Sequence, residues 1–87
     1  MSVLLVTYDL NKPGQDYTDF LNVIKSYDCT KLSESSYAIK TSKSPSDVYK
    51  ELRPHQDSND HVYIIELGHL HKGYGPTATN DWLTQNL

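Results

Sequence analysis

Residues 2–10 read SVLLVTYDL, and this stretch decides the fold. Val3, Leu4, Leu5, Val6 and Thr7 are apolar or β-branched at odd and even positions alike, which predicts a central strand covered on both faces. The run ends in Asp9-Leu10 and passes into Asn11-Lys12-Pro13-Gly14. There Pro13 fixes φ and Gly14 permits positive φ, so a turn follows. A second near-continuous apolar run, His61–Leu67 (HVYIIEL), has the same character and is expected beside the first as another central strand.

Between the two runs lie two helices and a hairpin. Tyr17, Phe20, Leu21, Ile24 and Tyr27 recur at three- and four-residue spacing, one apolar stripe of a helix over Tyr17–Tyr27. Asp16 is the expected N-cap, and Asp19 adds favourable negative charge to the first turn. Cys29–Leu32 and Ser36–Thr41 read as short strands joined at Ser33-Glu34-Ser35. Ser44-Pro45-Ser46-Asp47 marks a second helix, with Ser44 as cap, Pro45 in first position and Asp47 as capping-box acid. That helix carries Val48, Tyr49 and Leu52 and must end before Pro54. His55–Asp60 is a polar loop, Gly68–Gly75 is irregular, and Asn80–Leu87 offers a short terminal helix. The order strand, helix, strand, strand, helix, strand over residues 1–87 predicts an α+β domain, a ferredoxin-like β-α-β-β-α-β sandwich with a short C-terminal extension. Its helices cover one sheet face. The apolar residues on the other face predict a homodimer, or cover from the tail.

A chain of 87 residues is one domain with a thin core: apolar residues make up 37%, and seven of them are tyrosines. Cys29 is the only cysteine, so there is no internal disulfide and no Cys-x-x-Cys metal pattern. Val3–Val6 is too short for a secretory h-region, and no apolar run reaches the ~20 residues of a membrane helix. A cytoplasmic protein without membrane association is expected. The net charge of −3, with no run of three basic residues, makes the whole molecule a poor match for a phosphate polymer. Nucleic-acid binding would need a local patch or a bound cation.

Asp9 is the candidate catalytic and metal-binding residue. It ends a hydrophobic strand just before a Pro-Gly loop, a position that presents a carboxylate at the sheet's end. Mg²⁺ takes one or two carboxylates plus water and phosphate, so a two-fold dimer supplying Asp9 twice could hold an ion and activate water on a phosphodiester. The plainer alternative is a strand-end aspartate bonded to loop amides. His69 and His71 are spaced to face one way, but no third ligand stands at a usual spacing. His55 and His61 lie too far along the chain to assign. Tyr8, Tyr37 and Tyr63 could stack bases, but SYAIKT lacks the RNP1 pattern, and core or dimer packing is the expectation. Trp82 is expected to anchor the tail, and Cys29 to serve as a small apolar residue.

The opening LLVTYDL, the split β-α-β order, the short length and the HVYIIEL strand resemble the small CRISPR-associated adaptation endonucleases and, more distantly, the virulence-associated protein D ribonucleases. Small uncharacterised bacterial and phage proteins look similar over the whole chain. They share a Tyr8-Asp9-Leu10-Asn11-Lys12 start, a Lys31–Ala38 hairpin (KLSESSYA) and an Asn80-Asp81-Trp82-Leu83 tail. The resemblance implies an antiviral-defence nuclease, a metal-dependent endoribonuclease or endodeoxyribonuclease. Its catalytic carboxylate maps onto Asp9, with Mg²⁺ or Mn²⁺ held between two copies. The chain departs from the nuclease pattern in its basic residues: Lys12 alone follows the first strand, Asp16 and Asp19 come next, and Arg53 is the sole arginine. The tail GYGPTATNDWL also differs from the usual fifth strand. The expectation is a homodimeric nuclease-like protein. Its alternative is a non-catalytic dimeric binding module of toxin–antitoxin or counter-defence type, with a protein or nucleotide partner.

Overall fold

The computed structural model describes residues 1–87. Strand β1 (Ser2–Asp9) is followed by helix α1 (Thr18–Lys25), strands β2 (Asp28–Ser33) and β3 (Ser36–Thr41), helix α2 (Pro45–Leu52), strand β4 (His61–Leu67) and helix α3 (Thr77–Asn86). A 3-10 turn, Arg53–His55, closes α2 where Pro54 denies the helix its next backbone donor. The four strands form one antiparallel sheet in the order β2-β3-β1-β4, so the molecule is a small α+β domain with three helices.

Strand β1 sits inside the sheet, as its unbroken apolar run predicts. It pairs with β3 from Ser2↔Thr41 to Thr7↔Ser36 and with β4 from Val3↔Leu67 to Asp9↔His61. The expectation for β4 needs correction. It lies beside β1 but at the sheet's edge, and Tyr63 (66% exposed) and Ile65 (52% exposed) face solvent. Its apolar run reflects two apolar faces, only one of which this chain covers.

The core lies between sheet and helices. Leu4, Val6 and Tyr8 of β1 and Tyr37 and Ile39 of β3 meet Phe20 and Ile24 of α1 and Val48 and Leu52 of α2. Tyr8 meets Phe20 edge-on at 5.3 Å between ring centroids, a favourable aromatic geometry. The stripe predicted for α1 is present, with Phe20 and Ile24 fully buried and Tyr17, Leu21 and Tyr27 packed around them. The helix is shorter than its stripe. Asp16 is not the N-cap: Tyr17 holds that position, and the Asp16 carboxylate instead accepts the Thr18 amide at 2.9 Å. In α2 only half of the capping box forms, since Ser44 accepts the Asp47 amide at 3.1 Å without a return bond.

The β2–β3 hairpin turns through Glu34-Ser35 with a register shift between Lys31 and Ser33. No residue except Gly14 has positive φ, so this loop does not use the mirror-image backbone usual in two-residue turns. The Ser33 and Ser36 hydroxyls, 2.7 Å apart, and the Ser35 amide donating to Ser33 Oγ tie the turn instead.

Alternation along β1 sends Val3, Leu5, Thr7 and Asp9 to the face away from α1 and α2. Helix α3 returns over part of that face. The Trp82 indole donates to Asp28 at 2.9 Å, Thr30 donates to Thr79 at 3.1 Å, and Leu83 and Leu87 share a hollow with Leu32 and Leu67. The terminal helix begins at Thr77, earlier than the expected Asn80. Val3 and Ala38 are buried on this side, while Leu5 is half-buried and Tyr63 and Ile65 remain open.

Candidate functional site

Asp9 is the last residue of β1 and is exposed. Whether it is free for chemistry depends on the loop that follows. In that loop the Asn11 amide is taken by Asp60, the buried acid immediately before β4, and the Lys12 amide by the Tyr17 hydroxyl. One Asp60 oxygen accepts the Asn11 amide at 2.6 Å and the Tyr17 hydroxyl at 2.8 Å, and the other accepts the Asp57 amide at 2.7 Å. Burial alone would raise the Asp60 pKa. The Asn11 and Asp57 amides and the Tyr17 hydroxyl outweigh it and hold the carboxyl below its ordinary value. Asn11 completes the lock, its side-chain amide donating to the Asp9 and Asn59 carbonyls at 3.2 and 3.0 Å. The plainer sequence expectation for Asp9, a carboxylate satisfied by loop amides, is therefore met by Asp60. The Asp9 carboxylate makes no hydrogen bond or ion pair within the chain, although its backbone carbonyl is bonded.

The sheet register sets a second chemical group beside it. Asp9 stands opposite His61, so their side chains project from one face with Cβ atoms about 4.5–5.5 Å apart. Thr7, Tyr8, Asp9, His61 and Tyr63 line one shallow hollow. The His61 ring, like the Asp9 carboxylate, bonds to nothing in the chain. Sequence spacing missed His61 because the two residues are far apart along the chain. The usable signal was the antiparallel pairing of β1 with β4, which brings the last residue of one against the first of the other.

The remaining candidates are placed elsewhere. His71 Nδ1 contacts the His69 carbonyl at 3.0 Å, and both residues are exposed on the connector before α3. No group of three or more His, Cys, Asp or Glu side chains is gathered within one chain to hold a metal ion. Tyr8 and Tyr37 are buried; burial, then the neighbouring Tyr37 and Glu34, raises the Tyr8 pKa. Only Tyr63 of the three tyrosines presents a free ring. Cys29 packs against the core, and burial and Asp28 push its thiol up, the setting of a packing residue.

Three of the lysines are engaged with acids: Lys12 with Asp57 at 3.5 Å, Lys31 with Glu34 at 3.2 Å, and Lys43 with Glu51. The last pair includes Tyr27, whose ring lies 5.4 Å beneath the Lys43 ammonium and whose hydroxyl donates to Glu51. The Lys43 contact holds the Glu51 carboxyl below its ordinary value, and the Glu51 contact raises Lys43. Tyr27, Glu51 and Lys43 join the turn between α1 and β2, helix α2 and the loop between β3 and α2.

No helix is long and apolar enough to cross a membrane. Comparison with protein-family models, curated proteins and solved structures finds no match to this chain.

Proposed function

We propose that the chain is a ferredoxin-like, cytoplasmic homodimer joined through the open part of its sheet, and that Asp9 from both copies serves divalent-metal-dependent phosphodiester chemistry. The observation that carries this reading is the position of the unbonded Asp9 carboxylate. It lies on the same face as Leu5, Tyr63 and Ile65, the apolar strip that α3 leaves uncovered. An exposed apolar strip on a small domain with a thin core is removed from water by a partner. A two-fold apposition of that face would supply each carboxylate with a twin. The strand order β2-β3-β1-β4, with antiparallel neighbours and α1 and α2 on one face, supports the ferredoxin-like assignment. The reaction class rests on the resemblance of LLVTYDL and HVYIIEL to the adaptation endonucleases and the virulence-associated protein D ribonucleases.

In this reading the ion supplies the charge that polarises the phosphodiester and acidifies a bound water. The chain supplies the carboxylates that hold the ion. Acidic net charge and engaged lysines favour a second reading, a dimeric module that binds a protein or a nucleotide without cleaving it.

The two are separated by incubating labelled single-stranded RNA and DNA with the protein and Mg²⁺ or Mn²⁺. Metal-dependent cleavage by the wild type that is abolished in Asp9→Asn, with an unchanged melting temperature, supports the nuclease. Cleavage that survives Asp9→Asn refutes the assignment of Asp9. Binding without cleavage establishes the module.

A further inference from the structure

His61 extends what Asp9 alone suggests. The Asp9↔His61 register puts an unbonded imidazole beside the unbonded carboxylate, on one face and around one hollow. The chain's other acids do not offer this. Asp16, Asp28, Glu34, Glu51, Asp57 and Asp60 are all engaged in hydrogen bonds or ion pairs. Asp19, Asp47, Glu66 and Asp81 carry no such bonds, but none of them has an unbonded imidazole opposite it in the sheet register.

We infer that His61 is the second metal donor of each subunit, which turns the site from one suited to Mg²⁺ into one suited to a zinc-class ion. The inference rests on the dimer proposed above, because one chain offers only two donors and a catalytic zinc site takes three from the protein and keeps its fourth position for water or substrate. Two copies give two carboxylates and two imidazoles, of which three suffice. Mg²⁺ prefers an all-oxygen octahedron and keeps much of its water, so imidazole nitrogen adds nothing for it. Zn²⁺ takes nitrogen and carboxylate oxygen together at about 2.0–2.2 Å, and imidazole raises a site's preference for zinc and its neighbours in the first transition row. The opposed Cβ atoms of Asp9 and His61 lie close enough for both side chains to reach one ion. His69 and His71 lie on the connector before α3 and have no part in the site.

The test uses the full chain freed of metal by chelation and dialysis. Zn²⁺ and Mg²⁺ are titrated calorimetrically, Co²⁺ is added as a spectroscopic reporter of coordination, and sedimentation gives the mass with and without metal. The expected result is one Zn²⁺ per two chains, an intense tetrahedral Co²⁺ spectrum, and Mg²⁺ binding at least 10-fold weaker. Asp9→Asn and His61→Ala should each weaken Zn²⁺ binding at least 10-fold, while a His69→Ala/His71→Ala double variant should match the wild type. Thermal melts of the metal-free variants establish that they fold. A dimer that binds Zn²⁺ equally well with His61→Ala, or that takes one ion per chain, overturns the role of His61 and leaves the dimer intact. A monomer under every condition overturns the dimer, and the shared site with it.

Discussion

Asp60→Ala tests the reasoning at the point where fold and site meet. The substitution removes the acceptor for three donors, the Asn11 amide, the Asp57 amide and the Tyr17 hydroxyl. A hydrogen bond to a charged group contributes about 1.5–3 kcal/mol, and water recovers part of that at these partly exposed donors, so the expected loss is about 3–4 kcal/mol. At roughly 0.05–0.15 kcal/mol per residue a domain of this size holds about 4–13 kcal/mol in all, so the variant should lose between about a quarter and nearly all of its stability. Urea unfolding followed by circular dichroism gives the difference from midpoints at constant slope. The pH dependence provides an independent check. A carboxyl whose folded pKa is depressed contributes stability above its unfolded value near 4, and that contribution is lost as pH falls through the lower folded value. Asp60→Asn keeps the shape but cannot titrate, so its stability should fall less steeply than wild type below about pH 4. An Asp60→Ala variant within about 0.5 kcal/mol of wild type, the range of a neutral surface change, would refute the claim that Asp60 holds the loop. Parallel acid limbs for wild type and Asp60→Asn would refute it as well.

Phe20→Ala, at a side chain with no solvent exposure between Tyr8 and Tyr17, should cost about 3–5 kcal/mol, and an unchanged urea midpoint would show the α1 stripe to be misassigned. Trp82→Ala should act locally, because α3 buries no residue completely and is tied to β2 by the Asp28 and Thr30 bonds. Amide exchange at Asn80 and Leu87 should accelerate while the β1 amides keep their protection, and equal acceleration in β1 would place α3 in the cooperative core.

The apolar run at Val3–Thr7 made β1 legible because a strand paired on both sides has little use for polar residues. The same signal in His61–Leu67 gave the right neighbour and the wrong position. A run apolar on both faces reports surface that avoids water, and Tyr63 and Ile65 have that character without being covered by this chain. The cap at Ser44 was readable because it operates over three residues. Asp60 was not readable. Its partners Asn11 and Tyr17 lie more than forty positions away, and within DSND it resembles any loop acid. Asp9 was visible as a strand-end carboxylate, but its freedom from the loop amides was not, because the Asn11 and Lys12 amides are taken by Asp60 and Tyr17, groups brought in by the fold.

Asp60 and His61, on opposite faces of the chain beside Asp9, are adjacent in sequence. Strand alternation at the start of β4 turns Asp60 toward Tyr17 and the helical layer and His61 toward the open face, opposite Asp9. One dipeptide thus performs two tasks. Asp60 takes the Asn11 amide and the Tyr17 hydroxyl, and His61 sets an unbonded group beside the Asp9 carboxylate. Neither task is useful to a metal site alone. A carboxylate satisfied by backbone amides is a poor ligand, and a free carboxylate without a second donor holds an ion weakly. In the proposed reading, a chain with a net charge of −3 needs a source of attraction for a phosphodiester other than basic side chains. The attraction would come from a cation held on the sheet face, where Asp9 and His61 are free, and no basic surface would be needed.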